Sequence, residues 1–293
     1  ADTWTSYWLT NVVDEMRQNG ADGVFADTFD PLIGGFDTPL PPEMQYPGAI
    51  TGLYPQLNVW QQTILDHFTS TTEHFLFVPN YGALVTGWNN VLSHALCDGC
   101  MVEGFGDWGT PPLAGEFSDW QLQMNRCLGI VRAGKGLIAQ HYLASADATD
   151  ERMFVLGMYL LIKGDHTFVN LLASGDLEWY PEYGIDLGMH TTPLATNVDE
   201  YAHQAWGGLY RRHFQKGTVV VNPTGSTVNL PSLGGTYWRV VPSGGGDVPA
   251  GGTAPGTLSY VAITSLSLAS NRGAVLLFND PNASGIGEWK YYE

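Results

Sequence analysis

Residues 20–30 read GADGVFADTFD. A short apolar run, Gly23 to Ala26, stops at one carboxylate, Asp27, and a second, Asp30, follows. Upstream, Trp4, Trp8, Val12 and Met16 recur at i+4, the stripe of an amphipathic helix, with Asp2 placed to cap its start and Gly20 to end it. A helix that leads into a continuous apolar strand predicts a βα repeat, with the strand buried on both faces of a parallel sheet. The acids then sit where the strand leaves the sheet.

The same grammar recurs along the chain. Strands are predicted at 75–79 (FLFVP), 99–103 (GCMVE), 136–140 (GLIAQ) and 166–171 (HTFVNL), and helices at 56–68, 117–133 and 151–163. A Pro/Gly-rich loop is predicted from Pro31 to about Pro55. Polar residues gather just past the strands: Asp27, Asn80, Glu103, His141 and Asn170. In a (β/α)8 barrel that end of the sheet is the active-site face. The predicted fold class is therefore α/β, a TIM barrel contributed by residues 1–206. Only five of its strands are found, and a barrel spends about 30 residues on each βα unit. Three units, roughly 90 residues by the same measure, are expected ahead of Ala1, on a missing N-terminal segment. A chain complete from Ala1 would argue against a closed barrel.

Near Gly207 the texture changes. Thr218–Val221 and Thr227–Leu230 flank Pro223-Thr224-Gly225 and read as a hairpin, and further strand-like runs follow. SGGGDVPAGGTAPG, 243–256, reads as a flexible connector. Residues 207–293 are predicted to form an antiparallel β-sandwich domain.

Composition narrows the function. The net charge of −17, from 29 acidic and 12 basic residues, disfavours nucleic acid and anionic membrane as partners. No apolar run is long enough to span a bilayer. Low total charge with ten Trp and 14 Tyr suits a secreted, extracellular protein that handles carbohydrate. Cys97 and Cys100 have C-x-x-C spacing, but no second pair supports a zinc site, so buried thiols or one local disulfide are expected. No P-loop, dinucleotide fingerprint, H-E-x-x-H or G-x-S-x-G occurs, and no cofactor or metal is expected.

The run from Asp2 through Trp4, Gly20, Asp22-Gly23-Val24-Phe25, Asp27 and Asp30 resembles the fourth-strand region of the endo-α-1,4-polygalactosaminidase-like enzymes and related uncharacterised glycosyl-hydrolase barrel families. Asn80-Tyr81-Gly82 and DGCMVEGFG (98–106) are similar to strand ends of the same group, and the C-terminal stretch resembles the β-sandwich that closes many such barrels. The resemblance implies cleavage of a glycosidic bond in an extracellular polysaccharide, with Asp27 and Glu103 as the catalytic pair. It departs from the α-amylase pattern, which has Arg two residues before the fourth-strand Asp; here Phe25 stands there.

Glycoside hydrolysis needs two carboxyl groups about one bond, one to protonate the leaving oxygen and one to attack or to activate water. Asp27 is read as nucleophile or base and Glu103 as acid. Asp30, Asn80, Tyr81, Trp108, His141 and Tyr142 are candidate sugar contacts, with Trp88 as a further stacking candidate. Each has a plainer role available: turn chemistry for Asp30 and Asn80, packing for the aromatics, a structural histidine for His141. The expected partner is a poly- or oligosaccharide, with a missing N-terminal segment or a second copy of the chain as the protein partner. The alternative is a non-catalytic extracellular protein that binds glycan or assembles into a layer while keeping the barrel.

Overall fold

The computed structural model describes residues 3–27, 29, 49–85, 90, 92–106 and 117–282. The predicted Asp2 cap and the 31–48 loop lie outside these. The chain divides into two compact units, one of Ala1–Leu113, Ser118–His141 and Lys163–Asn170, the other of Ala114–Phe117, Tyr142–Ile162 and Leu171–Glu293. Composition alone places the change of texture at 206/207.

In the first unit, α1 (Thr3–Asn19) leads into β1 (Gly23–Ala26). Gly20 ends the helix at φ +66, a left-handed value that glycine adopts without cost. Next come α2 (Ala49–Ser70), β2 (Leu76–Pro79), β3 (Gly99–Glu103), α3 (Phe117–Arg132) and β4 (Gly136–Tyr142). After α4 (Thr149–Ile162), β5 (Thr167–Leu172) completes the row. α2 starts seven residues before the predicted start and carries Pro55 inside it. β1–β2 and β3–β4 are parallel pairs. The bridge Asn80↔Met101 joins β2 to β3, and Leu137 N–H donates to His166 O between β4 and β5. The five strands thus lie side by side in chain order. A closed barrel is not formed among the described residues.

The two faces of this sheet differ, which corrects the expectation of burial on both. Phe77, Cys100, Val102, Leu137 and Ala139 are fully buried. Ile64 and Phe68 of α2, which packs on β2, are also wholly buried, each worth about 1.5–3 kcal/mol. Side chains alternate along a strand, so Phe25, Val78, Met101 and Ile138 take the other face. There Phe25 is 48% exposed and the other three are only half-buried. Among the described residues, helices cover one face and leave the second partly open.

The second unit is built on a six-stranded sheet in the order β13-β11-β15-β9-β8-β7. Its strands are β7 (Ala202–His203), β8 (Leu209–His213), β9 (Gly217–Asn222), β11 (Tyr237–Ser243), β13 (Thr257–Ile263) and β15 (Arg272–Leu277), all antiparallel. β10 (Val228–Leu230) pairs with β14 (Leu266–Leu268), and β6 (Glu178–Trp179) with β12 (Gly246–Asp247). Leu230, Leu266 and Leu268 share one buried cluster with Leu209, Val220, Ala274 and Leu276, so the two-stranded β10–β14 sheet packs on the large one.

α4 packs on β15 and β9. Residues Arg152 to Ile162 are all buried, and close approach is required: a Cβ on Gly273 would stand 2.2 Å from the Met153 carbonyl oxygen. Arg152 pairs with Glu182 at 2.7 Å with both side chains wholly buried, and burial pushes the Glu182 carboxyl up.

The predicted hairpin at 218–230 is not one. β9 and β10 belong to different sheets. Asn222 carries the chain across: its Nδ2 donates to the carbonyls of Ser226, Leu268 and Ala269, and its Oδ1 accepts from Thr224 N and Oγ1. Residues 243–256 join β11 to β13, which pair over seven residues, and Gly246–Asp247 of this connector form β12.

Candidate functional site

The site lies at the carboxyl ends of the first unit's strands. Asp27 follows β1, Asn80 follows β2 and Glu103 ends β3. Asn80 N–H donates to Ala26 O, and Tyr81 N–H to Met101 O, which fixes the height of the three residues relative to one another. Asn80 Nδ2 donates to Asp27 Oδ1 at 2.9 Å and to Glu103 Oε2 at 2.6 Å. Its Oδ1 accepts from Gly82 N–H at 3.0 Å, a local turn that settles which end of the amide faces the acids. Gly82 has φ +61, which suits glycine. The two acids therefore converge on one nitrogen. The accepting oxygens can be no farther apart than the two bonds laid end to end, about 5.5 Å.

The supports of this arrangement come from several elements. Phe29 N–H donates to Asn80 O, and the Phe29 ring stacks on Trp60 at 5.1 Å and meets Phe77 and Tyr81 edge-on. This pins the chain just beyond Asp27. Gln123 of α3 is fully buried; its Oε1 accepts from Gly106 N–H, and its Nε2 donates to the carbonyls of Ala83 and Gly104. One side chain thus ties together the turns after β2 and β3. Gly104 and Gly106 have φ +77 and +76, so the Glu103-Gly104-Phe105-Gly106 run needs glycine at both positions.

Two further strand ends continue the row. Gln140 is the register partner of Glu103, and Asn170 Nδ2 donates to Gln140 Oε1 at 2.7 Å.

Not every candidate faces this mouth. Tyr81 is fully buried and its hydroxyl donates to Gln61 Oε1, the arrangement of a packing residue. Burial and the nearby Cys97 and Cys100 thiols push the Tyr81 hydroxyl far up. His141 is also fully buried, with Nδ1 2.8 Å from Phe105 O. Asn80 is 4% exposed and spends its amide on the acids, in place of the sugar hydroxyl expected of it. Tyr142 ends β4 with its ring half-exposed and belongs to the second unit. Asp30, Trp88 and Trp108 lie outside the described residues. Cys97, Cys100 and Cys127 are free buried thiols. Among the described residues, no group of three or more His, Cys, Asp or Glu could hold a metal ion, and no helix is long and apolar enough to cross a membrane.

A glycosyl hydrolase-like protein is the class that this chain matches. It belongs to the family described as "Hypothetical glycosyl hydrolase family 15", whose model matches residues 1–218. No curated protein sequence matches it. Among solved structures, a Paenibacillus sp. cycloisomaltooligosaccharide glucanotransferase complexed with cycloisomaltoheptaose is similar at 12% identity and a TM-score of 0.29. That match covers 95% of this chain and 36% of the transferase chain, so the chain spans about a third of that protein's length.

Proposed function

We propose that the chain is a glycoside hydrolase that cuts an extracellular polysaccharide through Asp27 and Glu103. The observation that carries this is the shared donor: Asn80 holds both carboxyl groups against one amide nitrogen at the strand ends. Family membership supports the class of reaction. The accepting oxygens, at most about 5.5 Å apart, stand closer than the roughly 6.5–9.5 Å that leaves room for a water in inverting enzymes, which supports a retaining reading.

In this reading Asp27 attacks the anomeric carbon while Glu103 gives its proton to the leaving oxygen. Water, deprotonated by Glu103, then displaces Asp27 and restores both groups. Asn80 neutralises no charge; it fixes where the two carboxyls stand. We further read β1–β5 as consecutive strands of a (β/α)8 barrel, the second unit as carrying a closing β-sandwich, and the protein as secreted.

The test is glycan hydrolysis by wild type, Asp27→Asn and Glu103→Gln, with the anomer of the first product followed by NMR. The expected outcome is loss of on the order of 10³-fold or more in kcat for each variant, with unchanged melting and a retained anomer. Full activity in either variant sinks the assignment.

A further inference from the structure

The carboxylate pair is only half of the polar row at the strand ends. Glu103 stands in register opposite Gln140, and register partners in a parallel pair present their side chains to the same face. Gln140 is buried at 6% exposure, and its Oε1 is held by Asn170 Nδ2 at 2.7 Å, while its own Nε2 donates to His141 O at 3.2 Å. Both ends of the Gln140 amide are therefore fixed by the protein. Asn170 is exposed, and its Oδ1 has no protein partner among the described residues. It is a solvent-facing amide oriented by a buried one, two strands from the acid read as the proton donor, about 10 Å by strand spacing.

We propose that Asn170, positioned by Gln140, forms a sugar-binding subsite two strands from Glu103 and that it selects an uncharged sugar. This rests on the hydrolase reading above. A carboxamide offers one acceptor and one donor side by side, which matches a pair of neighbouring hydroxyls. It offers no charge to a carboxylate or sulfate. The row Asp27, Asn80, Glu103, Gln140, Asn170 holds two carboxyls and three amides and no cation. With a net charge of −17 on the chain, a polyuronate meets repulsion that none of these five residues compensates. A cationic amino sugar would be drawn by its ammonium to the two carboxylates, to which the uncharged Asn170 amide adds nothing. A neutral ring, free or N-acetylated, meets no such repulsion and offers Asn170 a pair of hydroxyls.

The experiment uses the full chain as wild type, Asn170→Ala and Asp27→Asn. The probes are dextran, laminarin, xylan and N-acetylchitooligosaccharides as neutral glycans, pectate and alginate as polyuronates, and chitosan as the cationic one. Reducing ends report cleavage, and calorimetry on Asp27→Asn, with and without Asn170→Ala, reports binding. The expected result is cleavage of a neutral glycan, with KM raised about tenfold in Asn170→Ala and the pH profile of kcat unmoved. Cleavage confined to pectate, alginate or chitosan, or a KM within twofold of wild type, overturns the subsite and leaves the hydrolase standing. Asn170-dependent binding of a neutral glycan without any cleavage keeps the subsite and sinks the hydrolase. Neither binding nor cleavage of any probe overturns both.

Discussion

Asp27 and Glu103, from strands separated by a third, accept hydrogen bonds from the same nitrogen, Nδ2 of Asn80. A neutral donor between two acids brings them together without the charge that an arginine or lysine would add. That suits a site in which one carboxyl must attack while the other keeps a proton to give.

Asn80→Asp tests this bridge with nearly the same shape. It replaces the donor by a third acceptor, and like charges crowded together disfavour ionisation. The expected outcome is a fall in kcat of about 10²-fold and a pH–rate profile displaced to higher pH, with KM little changed. An unmoved profile would show that the bridge has no part in setting the pair.

Tyr81→Phe separates packing from sugar contact. The hydroxyl lost is buried and leaves Gln61 Oε1 without its donor, a cost of about 1–3 kcal/mol. Thermal unfolding should move down while KM stays where it was. A raised KM with unchanged melting would return Tyr81 to the ligand.

Gln123→Ala removes one side chain and leaves Gly106 N–H and the carbonyls of Ala83 and Gly104 in want of partners. Part of that loss is made up by water, so about 2–4 kcal/mol of destabilisation is expected in denaturant titrations. The exchange of the Gly106 amide hydrogen should rise together with it. Exchange as slow as in wild type would mean that the loop holds itself.

His94 links stability to pH. Burial, with Arg126 nearby, pushes its imidazole down to about 4, and its ring lies edge-on to Tyr81 at 5.4 Å. The neutral ring is the one that fits, so its contribution is complete above the ordinary value of about 6.5 and is lost as pH falls from there toward 4. The loss is on the order of 2 kcal/mol, given that the ring is partly exposed. His94→Gln should flatten the melting temperature between pH 6.5 and 4; an equally steep decline in the variant would place the titration elsewhere.

The strands of the first unit were legible because each is a short apolar run with turn residues beyond it, and β3 was read to the residue. Asp27, Asn80 and Glu103 were legible for the same reason: they are the first polar residues after such runs. What periodicity does not carry is burial. Tyr81 and His141 also follow strands, yet both turn into the protein, where Gln61 and the Phe105 carbonyl meet them. Gln123 lies within a helix stripe, and nothing in its spacing announces a polar side chain that ties two loops. The false hairpin at 218–230 has a clear origin. Pro223-Thr224-Gly225 is good turn chemistry, but Asn222 gathers carbonyls from residues 268 and 269, far along the chain, and no local pattern reports that. The apolar run around Phe25 predicts a strand buried on both sides, and local sequence cannot say how much of a sheet's second face its neighbours cover.

β9 is the strand whose six residues are all buried, and one of its two neighbours is β15, with Asn222 opposite Arg272 fifty residues later. While the chain is being synthesised, β9 leaves the ribosome with that edge open until β15 has emerged. Such distant pairing is slow to form, and an apolar strand waiting for it is prone to stick to other chains. A gene trimmed between the codons for Asn222 and Arg272 should therefore yield inclusion bodies rather than a smaller soluble protein, even though the residues of the candidate site would all be encoded.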